Sequence, residues 1–252
     1  ILDNKNIDKR LDDLGLSQNI YEDLKDVLKF TQGLILISGP TGSGKTTTLY
    51  SILKELNSDD KKIITVEDPI EYKIDSINQV PINNKVGLSF ELVLKNILRQ
   101  DPDIIFIGEI RDKFSLDIAL QASLTGHLVL ASIHASSSVE TITRLIDLKA
   151  DPFLISTTLK AVMAQRLVLA HCKSCENGCK KCNFTKFYDR TSISEILKVD
   201  EQISSLIFNK ASFNELKEYL KNINFKTMLD DGKQKVKDGL TTLEEVYKVV
   251  NF

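Results

Sequence analysis

The chain has 252 residues, 42% hydrophobic and 27% charged, which is enough for one full domain with a smaller one attached and a sizeable core. Thirty-three lysines and arginines against 35 acidic residues leave a net charge of −2, without the basic excess of a typical nucleic-acid binder. No apolar run approaches the roughly 18 residues of a membrane-spanning helix and no signal sequence opens the chain, so a cytosolic protein is expected. The chain starts at Ile1 rather than methionine, so a piece of something longer is expected.

Residues 1–30 are polar and charged, with apolar positions at Leu11, Leu14, Leu16, Ile20, Leu24, Val27 and Leu28 that suit short helices in a lead-in segment. From residue 31 to 168 short apolar runs ("LILIS", "KIITV", "DIIFI", "HLVLASI") alternate with helix-length amphipathic stretches. That alternation predicts an α/β domain with a parallel-rich central sheet. Residues 169–185 hold all four cysteines, and from 186 to 252 the spacing of apolar residues predicts helices alone, a small helical C-terminal domain. Near its end Gly239 stops one helix, and Thr241 with Glu244, or Thr242 with Glu245, offers a capping box for the next.

Directly after the first strand, "GPTGSGKTTT" places Gly39-x4-Gly44-Lys45-Thr46 ahead of a helix-compatible run, the context a phosphate-binding loop requires. Gly42 and Gly44 let the backbone N–H groups of Thr41 to Thr47, Ser43 among them, converge on phosphate oxygens at the positive end of a helix. Lys45 is expected to reach the β- and γ-phosphates and the Thr46 hydroxyl to ligate Mg²⁺. The alternative, a glycine turn with a solvated lysine, leaves that context unexplained.

The third strand poses a problem. "RQDPDIIFIGEIRD" (99–112) ends in Gly108-Glu109, where an ordinary nucleotide-hydrolysing strand ends in a magnesium-holding aspartate. Three further stretches, "TVEDPIE" (65–71), "TGHLVLASIHA" (125–135) and "AQRL" (164–167), follow in order. Together with the phosphate loop these blocks resemble the secretion ATPase superfamily of type II secretion and type IV pilus assembly, in which they form the Asp box, the atypical Walker B and the His box. The resemblance covers essentially the whole chain and implies a RecA-like ATPase core. It also implies that Gly108 opens room beside the phosphates, that Glu67, next to Asp68, is the leading general base, and that Glu109 is the magnesium-side carboxylate, with the two roles open to exchange.

By the same resemblance His134 senses the γ-phosphate, while His127 is a weaker candidate with a structural role as its rival. Arg99 and Arg111 flank the third strand and are candidates for neutralising phosphate charge, in cis or across a subunit boundary, against ion pairs with Asp101, Asp103 or Asp112. Two positions depart from the family pattern: Lys95 stands where an arginine is usual and Asp189 where a glycine is common. The resemblance further implies a preceding domain that supplies phosphate-contacting arginines, with "ILD" at its very end and Arg10 the only arginine in the lead-in.

"HCKSCENGCKKC" reads C-x2-C-x3-C-x2-C, two knuckles whose four thiolates, Cys172, Cys175, Cys179 and Cys182, suit one tetrahedral Zn²⁺. Zinc sites usually leave a dozen or more residues between the pairs, and the family's assembly and secretion branches leave more still. Here three residues intervene, with Gly178 available for the turn; an unmetallated reduced cluster and an iron–sulfur site stay open as alternatives.

The expectation is therefore a motor ATPase using ATP/ADP, Mg²⁺ and Zn²⁺, working as a homo-hexamer in its full-length form on an inner-membrane platform protein, cytoplasmic and peripheral to that membrane, with no direct nucleic-acid contact. A zinc-containing nucleic-acid motor is the first rival, disfavoured by net charge and by the lack of aromatic residues among the basic ones near the cysteines. A non-hydrolysing nucleotide-bound scaffold is the second, disfavoured by the presence of both Glu67 and Glu109.

Overall fold

The computed structural model of the protein describes residues 9–250. The opening "ILD", read as the end of a preceding domain, lies outside them. Among the described residues seven strands form one sheet: β1 (Gly33–Ser38), β2 (Ile63–Glu67), β3 (Asn78–Pro81), β4 (Ile104–Ile107), β5 (Leu128–Ile133), β6 (Leu159–His171) and β7 (Phe187–Lys198). Their order is β3-β2-β4-β5-β1-β6-β7, and every neighbouring pair is parallel except β6 with β7. The central strands read as continuous apolar runs because both of their faces are covered. On β1, Leu34 and Leu36 join one core cluster while Ile35 and Ile37 join the other.

Among the described residues ten helices surround the sheet. Against one face lie α1 (Gln18–Val27) and α2 (Lys45–Leu56), which contribute Ile20, Leu24, Leu49 and Leu53. The other face is covered by α3 (Phe90–Ile97), α4 (Lys113–Leu124), α5 (Ser138–Asp147) and α6 (Pro152–Thr158), extended by α7 (Glu201–Phe208) and α8 (Phe213–Asn222). The last two helices, α9 (Met228–Lys237) and α10 (Leu243–Val249), form a small cluster of their own with β6 and β7 through Met228, Val246, Ala164 and Ile193. Gly239, at φ 71°, ends α9, and of the two capping candidates before α10 it is Thr242 that accepts the N–H of Glu245 (3.3 Å).

One expectation needs correction. Residues from 186 onward are not helical alone: β7 occupies Phe187–Lys198 and pairs with β6 along its length. "FYDRTSISEILK" hides this strand, because its buried stretch Ser192–Leu197 carries serines and a glutamate whose polar groups are satisfied inside the protein. The hydrophobic alternation expected of a half-buried strand is therefore missing. The helices begin at Glu201.

β7 is held at its base by a buried ion pair. Lys235 and Asp231 lie 3.4 Å apart with side chains 2% and 4% exposed, and Lys235 also donates to the carbonyls of Gly15 (2.7 Å) and Ser192. Asp231 in turn accepts from the Ser17 hydroxyl and the N–H of Ser194 (2.9 Å), so lead-in, β7 and α9 share one network.

Candidate nucleotide site

The carboxyl ends of β1, β2, β4 and β5 meet on one edge of the sheet, where ligands bind in folds of this kind. There they line a cleft of about 1110 Å³. The glycine loop between β1 and α2 forms one wall, with Thr41, Gly42, Ser43, Gly44, Lys45, Thr46 and Thr47 all facing the cleft. Gly42 (φ 79°) and Gly44 (φ 89°) occupy the left-handed region that the tight turn needs. The twelve-residue α2 then starts at Lys45, its unpaired N–H groups directed at the cleft. Lys45 Nζ donates to the carbonyls of Gly39 (2.8 Å) and Pro40 (3.0 Å); burial lowers its pKa and Glu109 opposes the shift.

Both carboxylates named from the sequence face this cleft, in different environments. Glu67, at the end of β2, is 3% exposed. It accepts from the phenol of Tyr50, from Thr65 Oγ1 (2.6 Å) and from Gln79 Nε2 (3.1 Å). Burial, followed by the bond to Glu67, raises the pKa of Tyr50 well above that of a free phenol, so Tyr50 stays a donor. Glu109 is more open, its side chain 22% exposed, with Arg111 Nε at 2.7 Å and His134 Nε2 at 2.9 Å.

Gly108 explains how the two carboxylates fit together. Its N–H donates to Val66 O (2.8 Å) and its carbonyl accepts from Ser132 Oγ (2.5 Å). A Cβ at position 108 would lie 3.1 Å from Val66 O and 3.5 Å from Glu67 Cα. A side chain on residue 108 would press on the strand end that carries Glu67.

Not every candidate reaches the cleft. Arg111 and His134 do. Arg99 is exposed and lies in the turn after α3, ahead of the start of β4, at the sheet edge opposite the cleft. His127 precedes β5 at that same far edge, where its Nδ1 lies 2.9 Å from Ala122 O and 3.2 Å from Thr125 Oγ1, a structural contact at the end of α4. Asp112 is the N-cap of α4, accepting the N–H of Ser115 (2.8 Å). Lys95 pairs with Glu91 (2.6 Å) on the surface, and Asp189 sits at φ 72°, a conformation in which the family's usual glycine is unstrained. Arg10 is exposed.

Three residues that support the cleft had no role assigned from sequence: Tyr50 and Gln79, which bond Glu67 from behind, and Gln165, which lines the cleft. Gln165 carried a signal, since a glutamine amid "AVMAQRLVL" is a buried amide that must find partners. It donates to Ser43 O (2.9 Å) and accepts from Thr48 Oγ1 (2.8 Å).

Away from the cleft, at the tip of the β6–β7 hairpin, the four cysteine sulfurs lie within 4.8 Å of one another. Neighbouring Sγ pairs are 3.6–3.9 Å apart, too far for disulfides. Gly178 (φ 101°) makes the expected turn, with the backbone of Phe184 only 3.0 Å from where a Cβ would sit. The N–H of Cys179 lowers the Cys182 thiol to about 6, while desolvation and the neighbouring thiols push Cys175 up to about 12.

A glycine loop between strand and helix, opposite two carboxylates on the same sheet edge, defines a P-loop nucleotide-binding protein with a RecA-like core. The chain belongs to the type II/IV secretion system protein family, whose pattern matches residues 1–248. It is 42% identical over 249 residues to the type II secretion system protein HxcR of Pseudomonas aeruginosa, covering 95% of this chain and 53% of that protein. It is 40% identical over 264 residues to the type IV pilus assembly ATPase PilB of Thermus thermophilus, covering 94% of this chain and 30% of that protein. Among solved structures the pilus retraction motor PilT with bound ADP superposes with a TM-score of 0.78 at 30% identity, over 96% of this chain and 66% of that one. The chain thus spans about half the length of the type II secretion relatives it matches. No helix among the described residues is long and apolar enough to cross a membrane.

Proposed function

We propose that this chain is the ATP-hydrolysing part of a motor that drives a type II secretion or type IV pilus machine. The observation that carries the reading is the cleft itself: a phosphate loop, a lysine, two carboxylates and a histidine on one sheet edge. In the proposed reaction Lys45 exchanges the Gly39 and Pro40 carbonyls for phosphate oxygens, and the N-terminus of α2 supports the same charge. Glu67 takes the proton of the water that attacks the γ-phosphate. Its three donors fix its orientation and leave about one of its four acceptor sites open to that water. His134 and Arg111, both against Glu109, are within reach of a γ-phosphate in the cleft and serve to sense and neutralise it.

The site also fits a magnesium ion. The Thr46 hydroxyl is exposed in the cleft and donates to no protein group among the described residues, and Glu109 faces the same space. These two would hold the ion, which supplies charge neutralisation at the β- and γ-phosphates. At the hairpin tip, a tetrahedral zinc with bonds of about 2.3 Å requires sulfurs roughly 3.8 Å apart. The observed 3.6–3.9 Å fits, so Cys172, Cys175, Cys179 and Cys182 are proposed as its ligands.

The proposed assembly is a homo-hexamer of the full-length protein acting on an inner-membrane platform protein, peripheral to the membrane on its cytoplasmic side. The names of HxcR and PilB support the machine, and the shared fold of PilT supports the motor. The proposed division is a lead-in to residue 30, an ATPase core to 168, the cysteine turn to 185 and a C-terminal part that opens with β7 and is helical from Glu201. The test is Mg·ATP binding and phosphate release by the full-length protein and its Lys45→Ala variant. Tight binding and turnover that Lys45→Ala abolishes are expected; binding indifferent to Lys45 would contradict the reading.

A further inference from the structure

β6 runs beside β1 and past the phosphate loop, and successive residues on a strand point to opposite faces. Gln165 and Arg166 therefore reach two different loops of the cleft from adjacent positions. Gln165 carries the phosphate loop: its amide donates to Ser43 O (2.9 Å) and accepts from Thr48 Oγ1 (2.8 Å). The fit is close. A Cβ on Gly44 would lie 2.7 Å from Gln165 Nε2, and one on Gly39 2.6 Å from Gln165 O.

Arg166 goes the other way. It is 8% exposed, and one Nη donates to Ser136 O (3.2 Å) in the loop that leaves His134, while the other donates to Gln165 O (3.2 Å). No carboxylate lies within ion-pair distance of it among the described residues, so a buried cation is spent on two carbonyls. Burial accordingly lowers its pKa, with Glu140 and Glu195 opposing. The neighbouring strand reinforces the same loop: Glu195, which pairs with Ala164 in register, accepts the N–H and hydroxyl of Ser138 (both 2.7 Å) and the N–H of Met228 (2.9 Å).

We propose that Gln165 and Arg166 are positioning residues that couple the phosphate loop to the His134 loop, Gln165 setting the grip on the phosphates common to ATP and ADP and Arg166 setting the approach of His134 to the γ-phosphate. The proposal rests on the nucleotide reading above and makes the two residues separable. A side chain that only supports the loop shared by both nucleotides affects their binding alike. One that acts only through His134 affects the phosphate that ADP lacks.

The experiment measures Mg·ADP affinity, Mg·ATP affinity and kcat in the full-length protein carrying Gln165→Met or Arg166→Lys, with thermal melting of each. Lysine keeps the charge but lacks the fork that bonds both carbonyls. Gln165→Met is expected to weaken ADP and ATP alike by about tenfold. Arg166→Lys is expected to leave ADP affinity within about twofold, to lower kcat about tenfold, and to narrow the preference for ATP over ADP. Should Gln165→Met fail to fold, Thr48→Val releases the same amide from its other partner and is expected to weaken both nucleotides in the same sense. Equal losses of ATP and ADP affinity in Arg166→Lys with kcat unchanged, or normal affinity in the Gln165 and Thr48 variants, would overturn the coupling alone. A parent protein that neither binds nor hydrolyses ATP would overturn the nucleotide reading and the coupling with it.

Discussion

The nucleotide cleft and the cysteine turn sit at opposite extremes of self-sufficiency. Every wall of the cleft is held by bonds the chain makes itself: Gln165 under the phosphate loop, Tyr50, Thr65 and Gln79 around Glu67, Arg111 and His134 on Glu109. The cysteine turn makes backbone bonds of its own, such as Cys172 N–H to Lys186 O (2.8 Å) and Thr185 Oγ1 to Cys182 O (2.6 Å), but has no apolar core beneath it. Among the described residues none between Val168 and Ile193 belongs to an apolar core cluster, and Phe184 is 70% exposed. Its four thiols face a common centre. A site that must bind and release a nucleotide many times benefits from walls already in place. A turn without a core depends on its ligand for its fold.

Removing the metal is the largest perturbation this comparison foresees. Purified without added metal, the protein is expected to carry one Zn²⁺ per chain, and chelation to strip hydrogen-exchange protection from residues 172–187 while leaving residues 39–48 and 104–111 protected. Four freely titrating thiols, near-zero metal and unchanged exchange would erase the contrast.

Next in size is the base of the same hairpin, which the chain holds by itself. Asp231→Ala leaves Lys235 buried without its charge partner and is expected to destabilise the protein by about 3–5 kcal/mol in chemical denaturation. A loss below about 1 kcal/mol would show that the base, like the tip, is held by something else. Within the cleft, Tyr50→Phe keeps the ring packed against Tyr72 and Phe106 but removes one donor from Glu67. Turnover is expected to fall about tenfold with little change in melting, since one hydrogen bond to a charged group is lost. An unchanged kcat would mean that Thr65 and Gln79 suffice to orient the carboxylate. The smallest effect belongs to Asp189→Gly, which relieves a left-handed φ at the start of β7 and is expected to shift stability by less than about 1 kcal/mol, upward.

How far the sequence could be read follows the same division. Strands buried on both faces, such as Leu34–Ser38 and Ile104–Ile107, announce themselves as apolar runs, and the glycine loop is identified by spacing because its backbone geometry admits few alternatives. The start of α10 was legible to within one residue, Thr241 or Thr242 as its cap, and the structure places Thr242 there. The strand at Phe187–Lys198 was not, because the Ser192 and Ser194 hydroxyls satisfy each other and Glu195 finds its partners on α5 and α9, which leaves no apolar alternation to read. Glu67 and Glu109 were named from their blocks, yet what distinguishes them, three neutral donors against an arginine and a histidine, comes from residues as distant in sequence as Tyr50 and His134. Arg99 shows the converse: it lies five residues before β4, and a strand's two ends belong to opposite edges of the sheet.

The central claim is that this sheet edge hydrolyses ATP with glutamates where a magnesium-holding aspartate is usual. Its most direct test is phosphate release by Glu109→Gln beside the parent protein, at saturating Mg²⁺ and ATP, with nucleotide affinity measured on the same samples. Affinity is predicted to hold while turnover drops by on the order of 10²-fold or more, because charge is removed where the transition state needs it. Hydrolysis by Glu109→Gln at the parent rate would contradict it.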